Sequence, residues 1–143
     1  MKLQQLSVFM ENRAGRLAEV TRILGDAAVN IRALAVADTS DFGILRLLVD
    51  KPEAALEALG EHGLTVRLTD VIAVEIVDRP GGLATILSLL QGSGVNVEYM
   101  YAFLERHQEN AILVFRFEDP EKAVKALQDA NVKVFTAEEI SQL

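Results

Sequence analysis

The sequence predicts an α+β protein made of two βαββαβ modules, each an antiparallel sheet with its helices on one face. Three observations lead to this prediction. The 143-residue chain contains an internal repeat. In some segments every second residue is apolar, as in a strand, and the segments between them carry apolar residues at helical spacing. We therefore divide the chain into copy one, residues 1–68, and copy two, residues 69–143.

The repeat is clearest in a glycine-bearing segment that occurs in both copies. Residues 12–18, NRAGRLA, align with residues 78–84, DRPGGLA, at an offset of 66. After an insertion of two residues the offset becomes 68, so that DKPE at 50–53 aligns with EDPE at 118–121. The shared order and spacing indicate a duplicated module.

Each copy begins with a strand and a helix. Apolar residues alternate with other residues over 6–10 and 72–76, the period-two pattern of a half-buried strand. Apolar residues at 83, 86, 87 and 90 have the spacing of one helix face, and residues 17, 20 and 24 repeat it in copy one. These patterns predict the first βα unit of each module.

The remaining elements follow in the same order in both copies. Second strands are predicted at 31–37 and 97–104, and central third strands, apolar on both faces, at 44–49 and 111–117. Pro52 and Pro120 open the second helices, and Val66 and Val134 belong to short final strands. Right-handed crossovers then order the strands 4-1-3-2, the ferredoxin-like arrangement with the second strand at an edge.

Composition and charge exclude several classes of function. The net charge is −7 and neither copy has a cluster of basic residues, so nucleic acid is not an expected partner. Cysteine is absent, no stretch is apolar enough to span a membrane, and residues 1–5 lack the apolar region of a secretion signal. We expect a cytoplasmic protein with no membrane partner.

The turn between first strand and first helix is the most specific local feature. In copy two its residues are Asp78, Arg79, Pro80, Gly81 and Gly82. Two glycines permit positive φ and close approach of a ligand, and free N–H groups at a helix start bind anions such as a carboxylate. The alternative interpretation is ordinary helix capping by Asp78 or by Asn12 in copy one.

Other polar residues have two possible roles. Asn30 and Asn96 precede apolar strands, where each is either a turn residue or a ligand's hydrogen-bond partner. Arginines 13, 16 and 79 either pair with a carboxylate or remain solvated. His62 and His107 have no metal-ligand partner at usable spacing, and no catalytic or phosphate-binding motif is present. We expect no cofactor, no metal and no enzymatic activity.

These residues resemble a known family. The segments NRAGRLAEVTRILGDAAVNIRAL and DRPGGLATILSLLQGSGVNVEYMYAF look like two ACT domains, and the resemblance covers nearly the whole chain. It implies a regulatory protein that senses small metabolites, most often amino acids, near the first turn and the start of the second strand. Carried over to this chain, the implied site residues are Asn12, Arg13, Ala14, Gly15, Arg16, Leu17, Asn30, Ile31, Asp78, Arg79, Pro80, Gly81, Gly82, Leu83, Asn96 and Val97.

Copy one departs from the pattern, with Ala14 and Arg16 in place of Pro80 and Gly82, and Ala28 in place of Gly94. We therefore expect the stronger site in copy two, and expect Gly82→Arg to weaken binding while preserving the fold. The alternative is that Arg16 clamps the ligand carboxylate.

Pairing of modules through their edge strands would combine the glycine turn of one with Asn30 or Asn96 of the other. Residues 68–70 span only about 10 Å, while the far edge of a sheet lies about 29 Å away. A crossing segment, an exchange of terminal strands and pairing between chains all remain open.

Our leading hypothesis is a non-catalytic regulatory protein that binds a free amino acid. The alternative is a regulatory subunit that docks on a metabolic enzyme without binding a ligand, and a third is an enzyme of unrecognised type. We also expect a homo-oligomer, a dimer, because the third strand of copy one is apolar on both faces and helices cover only one of them.

Overall fold

The computed structural model describes residues 1–38 and 41–143, with the backbone alone at Asp38. The predicted elements repeat in order in both copies, followed by a short C-terminal helix. Their bounds are β1 (Leu3–Glu11), α1 (Arg16–Asp26), β2 (Ile31–Asp38), β3 (Phe42–Val49), α2 (Pro52–Glu61), β4 (Thr65–Ile76), α3 (Gly82–Gly92), β5 (Val97–Ala102), β6 (Ala111–Phe117), α4 (Pro120–Asp129) and α5 (Ala137–Ser141).

The chain forms two compact units. The first comprises Gln4–Thr69, and the second comprises Asp70–Leu143 together with Met1–Leu3. In the first unit the strands lie in the order β2-β3-β1-β4, and β3 pairs antiparallel with both β1 and β2. This is the predicted 4-1-3-2 order, with β2 at an edge.

The second unit repeats this topology with a much shorter final strand. Its strands lie in the order β5-β6-β4, both pairs antiparallel. On the other side of β4, the Glu75 N–H donates to the Lys133 carbonyl (3.0 Å) and the Phe135 N–H donates to the Ala73 carbonyl (2.9 Å). Residues 133–135 therefore take the place of the fourth strand.

The connection between the copies is not a loop. Residues 68–70 lie inside β4, so the final strand of copy one continues directly into the first strand of copy two. The sequence predicted two separate strands here, and the structure has one strand of 12 residues. The segment contains no Gly or Pro, so nothing in it interrupts extended backbone.

Each unit has its own apolar core between one sheet face and two helices. In the first unit, Leu6 and Leu47 of the sheet pack with Leu24 of α1. In the second, Phe115 packs with Leu90 of α3, and the Phe115 and Phe117 rings stack with centroids 5.2 Å apart. The predicted periodicities identify most of the core correctly, but Leu17 and Leu83, which were predicted on the buried helix faces, are exposed.

The other sheet face is also largely buried. Leu48 of β3 is only 3% exposed, and Ile112 and Val114 of β6 are buried as well. These three side chains therefore do not form an exposed apolar patch. Self-association remains a prediction and needs a different surface.

Candidate ligand-binding site

The glycine turn of copy two links β4 to α3 through backbone hydrogen bonds. The Arg79 N–H donates to the Val77 carbonyl (2.9 Å), and the Gly82 N–H donates to the Arg79 carbonyl (3.0 Å). Gly81 precedes the helix with a φ of 84°, the left-handed conformation that favours glycine. No side chain caps α3, so capping by Asp78 was a wrong interpretation. The Asp78 carboxylate instead pairs with the Arg106 guanidinium at 2.8 Å.

Gly82 has a different role from Gly81. It begins α3 so close to the end of the sheet that an added Cβ would lie 2.0 Å from the Val77 carbonyl oxygen. A side chain here requires the backbone to move. The expectation that Gly82→Arg preserves the fold was therefore wrong.

A cavity of about 420 Å³ opens beside this turn, entirely within the second unit. Four predicted site residues line it: Arg79, Pro80, Gly81 and Gly82. Asp78 and Leu83 are not among its lining residues. The rest of the lining comes from β4, α3, the loop before β6 and the segment after α4, namely Glu75, Val77, Thr85, Ile86, Asn110, Asn131, Val132 and Lys133.

Glu75 lines the cavity, was not among the predicted site residues, and is held by two polar contacts. Its side chain is 19% exposed. The same oxygen, Oε1, lies 3.0 Å from His107 Nδ1 and accepts a hydrogen bond from Asn110 Nδ2 at 3.1 Å. One signal was visible beforehand, because Glu75 is the only charge in the apolar segment VIAVEIV at 71–77.

The lining residue Lys133 connects the cavity to the C-terminal helix. Its ammonium group pairs with the Glu139 carboxylate, which also accepts a hydrogen bond from the Thr136 N–H at 2.9 Å. The Glu139 N–H donates in turn to the Thr136 hydroxyl, which completes a capping box for α5. The Lys133 ammonium and the Thr136 N–H lower the pKa of Glu139 to about 2.

The predicted asparagines lie at the opposite end of each module from the turn. In copy two, Ile76 pairs with Ala111 at one end of the sheet and Val97 pairs with Phe117 at the other. These rows are six residue steps apart along β6, about 20 Å at the usual rise of a strand. Asn96, which precedes Val97, is therefore not part of the cavity in its own module.

Both asparagines connect the second strand to the end of the third. The Asn96 carbonyl accepts from the Glu118 N–H (3.2 Å), and the Asn30 carbonyl accepts from the Asp50 N–H (3.1 Å). The following residues, Ile31 and Val97, pack partly against the two cores. These contacts are made by the main chain, so a ligand-binding role of the two side-chain amides stays a prediction.

The preceding turns confirm that Ala28 and Gly94 are equivalent in conformation. Ala28 has a φ of 58° and Gly94 a φ of 71°, both in the left-handed region. The substitution in copy one therefore changes the side chain and leaves the backbone path the same.

In copy one a side chain lies at the position of Gly82. Gly15 has a φ of 89° like Gly81, but α1 begins with Arg16. The Arg16 guanidinium bonds to Glu19 (2.8 Å) and lies 3.6 Å from Glu11, with its Nε buried and without a hydrogen bond. Its hydrogen bond to Glu19 lowers the pKa of that carboxyl. Asn12 does not cap α1; its N–H donates to the Asp41 carbonyl (3.0 Å).

Copy one also lacks the charged and amide groups that line the cavity. The positions that match Glu75, Asn110 and Lys133 are Phe9, Phe42 and Thr65, by the offsets of 66 and 68. Arg13 lies near Glu11, with its Nε 3.6 Å from the carboxylate. Ala14 and Leu17, on the same turn, are both exposed. The two turns share a backbone design and differ in the chemistry around it.

The fold and site define a duplicated βαββαβ protein with a ligand-sized cavity at the helix start of its second copy. The chain belongs to the ACT domain family: the model of an ACT domain pair matches residues 1–143. ACT domains are regulatory modules rather than catalytic ones. No helix among the described residues is long and apolar enough to cross a membrane.

Solved structures share this architecture. Protein BT0572 from Bacteroides thetaiotaomicron superposes with a TM-score of 0.93 at 37% identity, covering 100% of this chain and 98% of that one. The ligand-free regulatory subunit of aspartate kinase from Thermus thermophilus has a TM-score of 0.63 at 18% identity, over 89% and 91% of the two chains. The corresponding subunit from Thermus flavus has 0.57 at 21%, over 90% and 94%. The two likenesses to the Thermus proteins show a shared fold. No curated protein matches the sequence significantly.

Proposed function

We propose that this protein is a non-catalytic regulator that binds a free amino acid in the cavity of copy two. The observation that carries the proposal is that groups of both charges, Glu75, Arg79 and Lys133, line one cavity of about 420 Å³. A free amino acid carries both an ammonium and a carboxylate group, and partners of both signs strengthen its binding through charge-assisted hydrogen bonds. The volume is within the range of about 300–1,000 Å³ typical of small-molecule pockets.

The lining favours binding over catalysis. Among the lining residues Thr85 has the one hydroxyl group, and it donates to the Gly81 carbonyl at 3.0 Å. A nucleophile would need a neighbouring base instead. Within the described residues, no three His, Cys, Asp or Glu side chains are placed to hold a metal ion. These groups are suited to hold a ligand in place.

Regulation requires that the bound state differ from the free state in a surface that a partner can detect. The cavity joins β4, α3, the loop before β6 and the segment that leads to α5. Lys133 lines the cavity and pairs with Glu139 of α5. We infer that ligand binding changes the placement of α5 through this pair, and that a metabolic enzyme is the partner that responds.

Thermal-shift screening against the twenty amino acids tests the proposal, because a ligand that binds only the folded state raises its apparent stability. We expect one or a few amino acids to raise the melting temperature, with nucleotides and divalent metals inactive. Calorimetry at millimolar concentration would then give the affinity. Heat with a nucleotide, and none with any amino acid, would refute the proposal.

One observation favours the second candidate, an interaction subunit without a ligand. Copy one exposes Phe42 at 62% and also exposes part of Phe9, where copy two has Asn110 and Glu75. Exposed aromatic residues are typical of protein interfaces. If no amino acid binds and Phe42→Ser abolishes association with an enzyme, this candidate replaces the first.

A further inference from the structure

We propose that Glu75 accepts the ammonium group of the ligand, and that the cavity selects α-amino acids with uncharged, apolar side chains, one per chain. This inference rests on the proposed function and adds the class of ligand, the residue that recognises it and the stoichiometry.

First, the Glu75 carboxylate has one oxygen that can still accept a hydrogen bond. Both neighbours, His107 and Asn110, contact Oε1, while Oε2 accepts no hydrogen bond from any described residue. The Glu75 side chain is 19% exposed, and Oε2 is in contact with solvent rather than buried without a partner. Glu75 lines the cavity, so a ligand ammonium group there would give Oε2 the charged donor that it lacks.

The second step is the cation at the other end of the ligand. Arg79 lines the same cavity, and its guanidinium makes no ion pair or hydrogen bond within the described part of the chain. A guanidinium binds a carboxylate with two parallel hydrogen bonds. Lys133 is already paired with Glu139, so Arg79 is the better partner for the ligand carboxylate.

The third step is the charge balance of the cavity. Once Lys133 is assigned to Glu139, one anion and one cation remain, which matches a zwitterion of zero net charge. A further charge on the ligand side chain would have no partner and would cost desolvation energy. Four apolar residues, Val77, Pro80, Ile86 and Val132, line the cavity together with the uncharged amides of Asn110 and Asn131, and the apolar ones suit an aliphatic or aromatic side chain.

Fourth, copy one does not have the groups that would recognise the ligand. Phe9 stands at the position of Glu75, with the Arg67 guanidinium 5.8 Å from the centre of its ring. Arg16 stands at the position of Gly82 and is paired with Glu19. The carboxylates at that turn, Glu11 and Glu19, already face Arg13 and Arg16, so each chain is expected to bind one ligand.

The experiment is calorimetry of the full chain with apolar amino acids, each compared with the 2-hydroxy acid that replaces its ammonium group by a hydroxyl. The wild-type protein should bind at least one amino acid with one site per chain and bind its hydroxy analogue at least about tenfold more weakly. Glu75→Gln keeps an oxygen for His107 and Asn110 but removes the charge. It should lose this preference while melting cooperatively. Glu98→Gln, at an exposed carboxylate that pairs with Arg116 outside the cavity, is the matched control.

The outcomes separate the two proposals. If an amino acid binds but Glu75→Gln keeps the wild-type affinity and preference, or if two sites per chain are filled, the inference fails and the proposed function stands. Preference for a charged amino acid would also overturn it. If no amino acid binds the wild-type chain, both fail. Should Glu75→Gln not fold, Arg79→Gln provides a second test. Arg79 is exposed, and its replacement should weaken the binding of the amino acid and of the hydroxy acid alike.

Discussion

The first residue of α3, Gly82, lies directly against the carbonyl oxygen of Val77, at a distance where an added Cβ would be 2.0 Å from that oxygen. Real Cβ atoms do not approach a carbonyl oxygen so closely. Glycine at this position therefore sets how near α3 begins to the end of β4, and the cavity is built around that approach.

Gly82→Ala should destabilise the protein by about 1–3 kcal/mol, the usual cost of inserting a methyl group into a packed site. Urea denaturation measures the change. Gly92→Ala, at the other end of the same helix, is the control, because an added Cβ there meets nothing within 4 Å. It should be neutral or slightly stabilising, since alanine is the better helix former. Equal stability of the two variants would contradict the contact with Val77.

Gly81→Ala and Gly15→Ala should each destabilise their unit by about 1–2 kcal/mol, the cost of the left-handed conformation for a residue with a Cβ. Both glycines have a φ near 85–90° with open space around them, so the penalty is one of backbone conformation alone. Only Gly81→Ala should also weaken amino-acid binding. Calorimetry on both variants distinguishes a shared structural role from a binding role in copy two.

Arg16→Gly should leave ligand affinity unchanged and destabilise the protein by about 1 kcal/mol or more, because the side chain is largely buried and glycine is a poor helix former. The guanidinium is held by Glu19 and Glu11, so it is not poised to clamp a ligand carboxylate. If this variant abolished binding while Gly81→Ala left it intact, the ligand site would be in copy one.

The Glu139 carboxyl should titrate near pH 2, because the Lys133 ammonium and the Thr136 N–H stabilise its charged form. A depressed pKa contributes stability at pH values above the unfolded-state value of about 4.5. That contribution is lost as the pH falls from there towards 2. Carbon-13 NMR of the carboxyl group measures the titration directly, and Glu139→Gln should remove this part of the pH dependence of α5. Titration near 4.5 would mean that the pair with Lys133 does not form in solution.

Self-association should use the edge strand β2. Val36 on this strand is 49% exposed and Leu34 is also exposed, while β2 has a pairing partner on one side only, β3. Edge strands with exposed apolar residues favour pairing with another chain. Sedimentation should show a dimer of the 15.7 kDa chain, and Val36→Lys should shift it towards monomer. Gln91→Lys, exposed on α3, adds the same charge and should have no effect.

Parts of the candidate site were predictable and parts were not. The positive φ of Gly81 follows from a glycine at the boundary between a strand and a helix. Capping by Asp78 was a reasonable local prediction that failed. Its carboxylate pairs instead with Arg106, which belongs to another loop. The lone charge at Glu75 was visible in the sequence, but its partner Asn110 lies 35 residues away and no local pattern connects them.

The sequence by itself determined the duplication, the order of helices and strands and most residues of the two cores, with Leu17 and Leu83 as exceptions. Alternating and helical periodicities reflect which side of each element is buried, and that information is local. Only the tertiary structure decided that β4 runs unbroken between the copies, that Gly82 touches Val77, and that Glu75, Arg79 and Lys133 line one cavity. The physical reason is that the distances between separate segments depend on how the core packs and where each backbone ends, and residue types in one segment do not encode these distances.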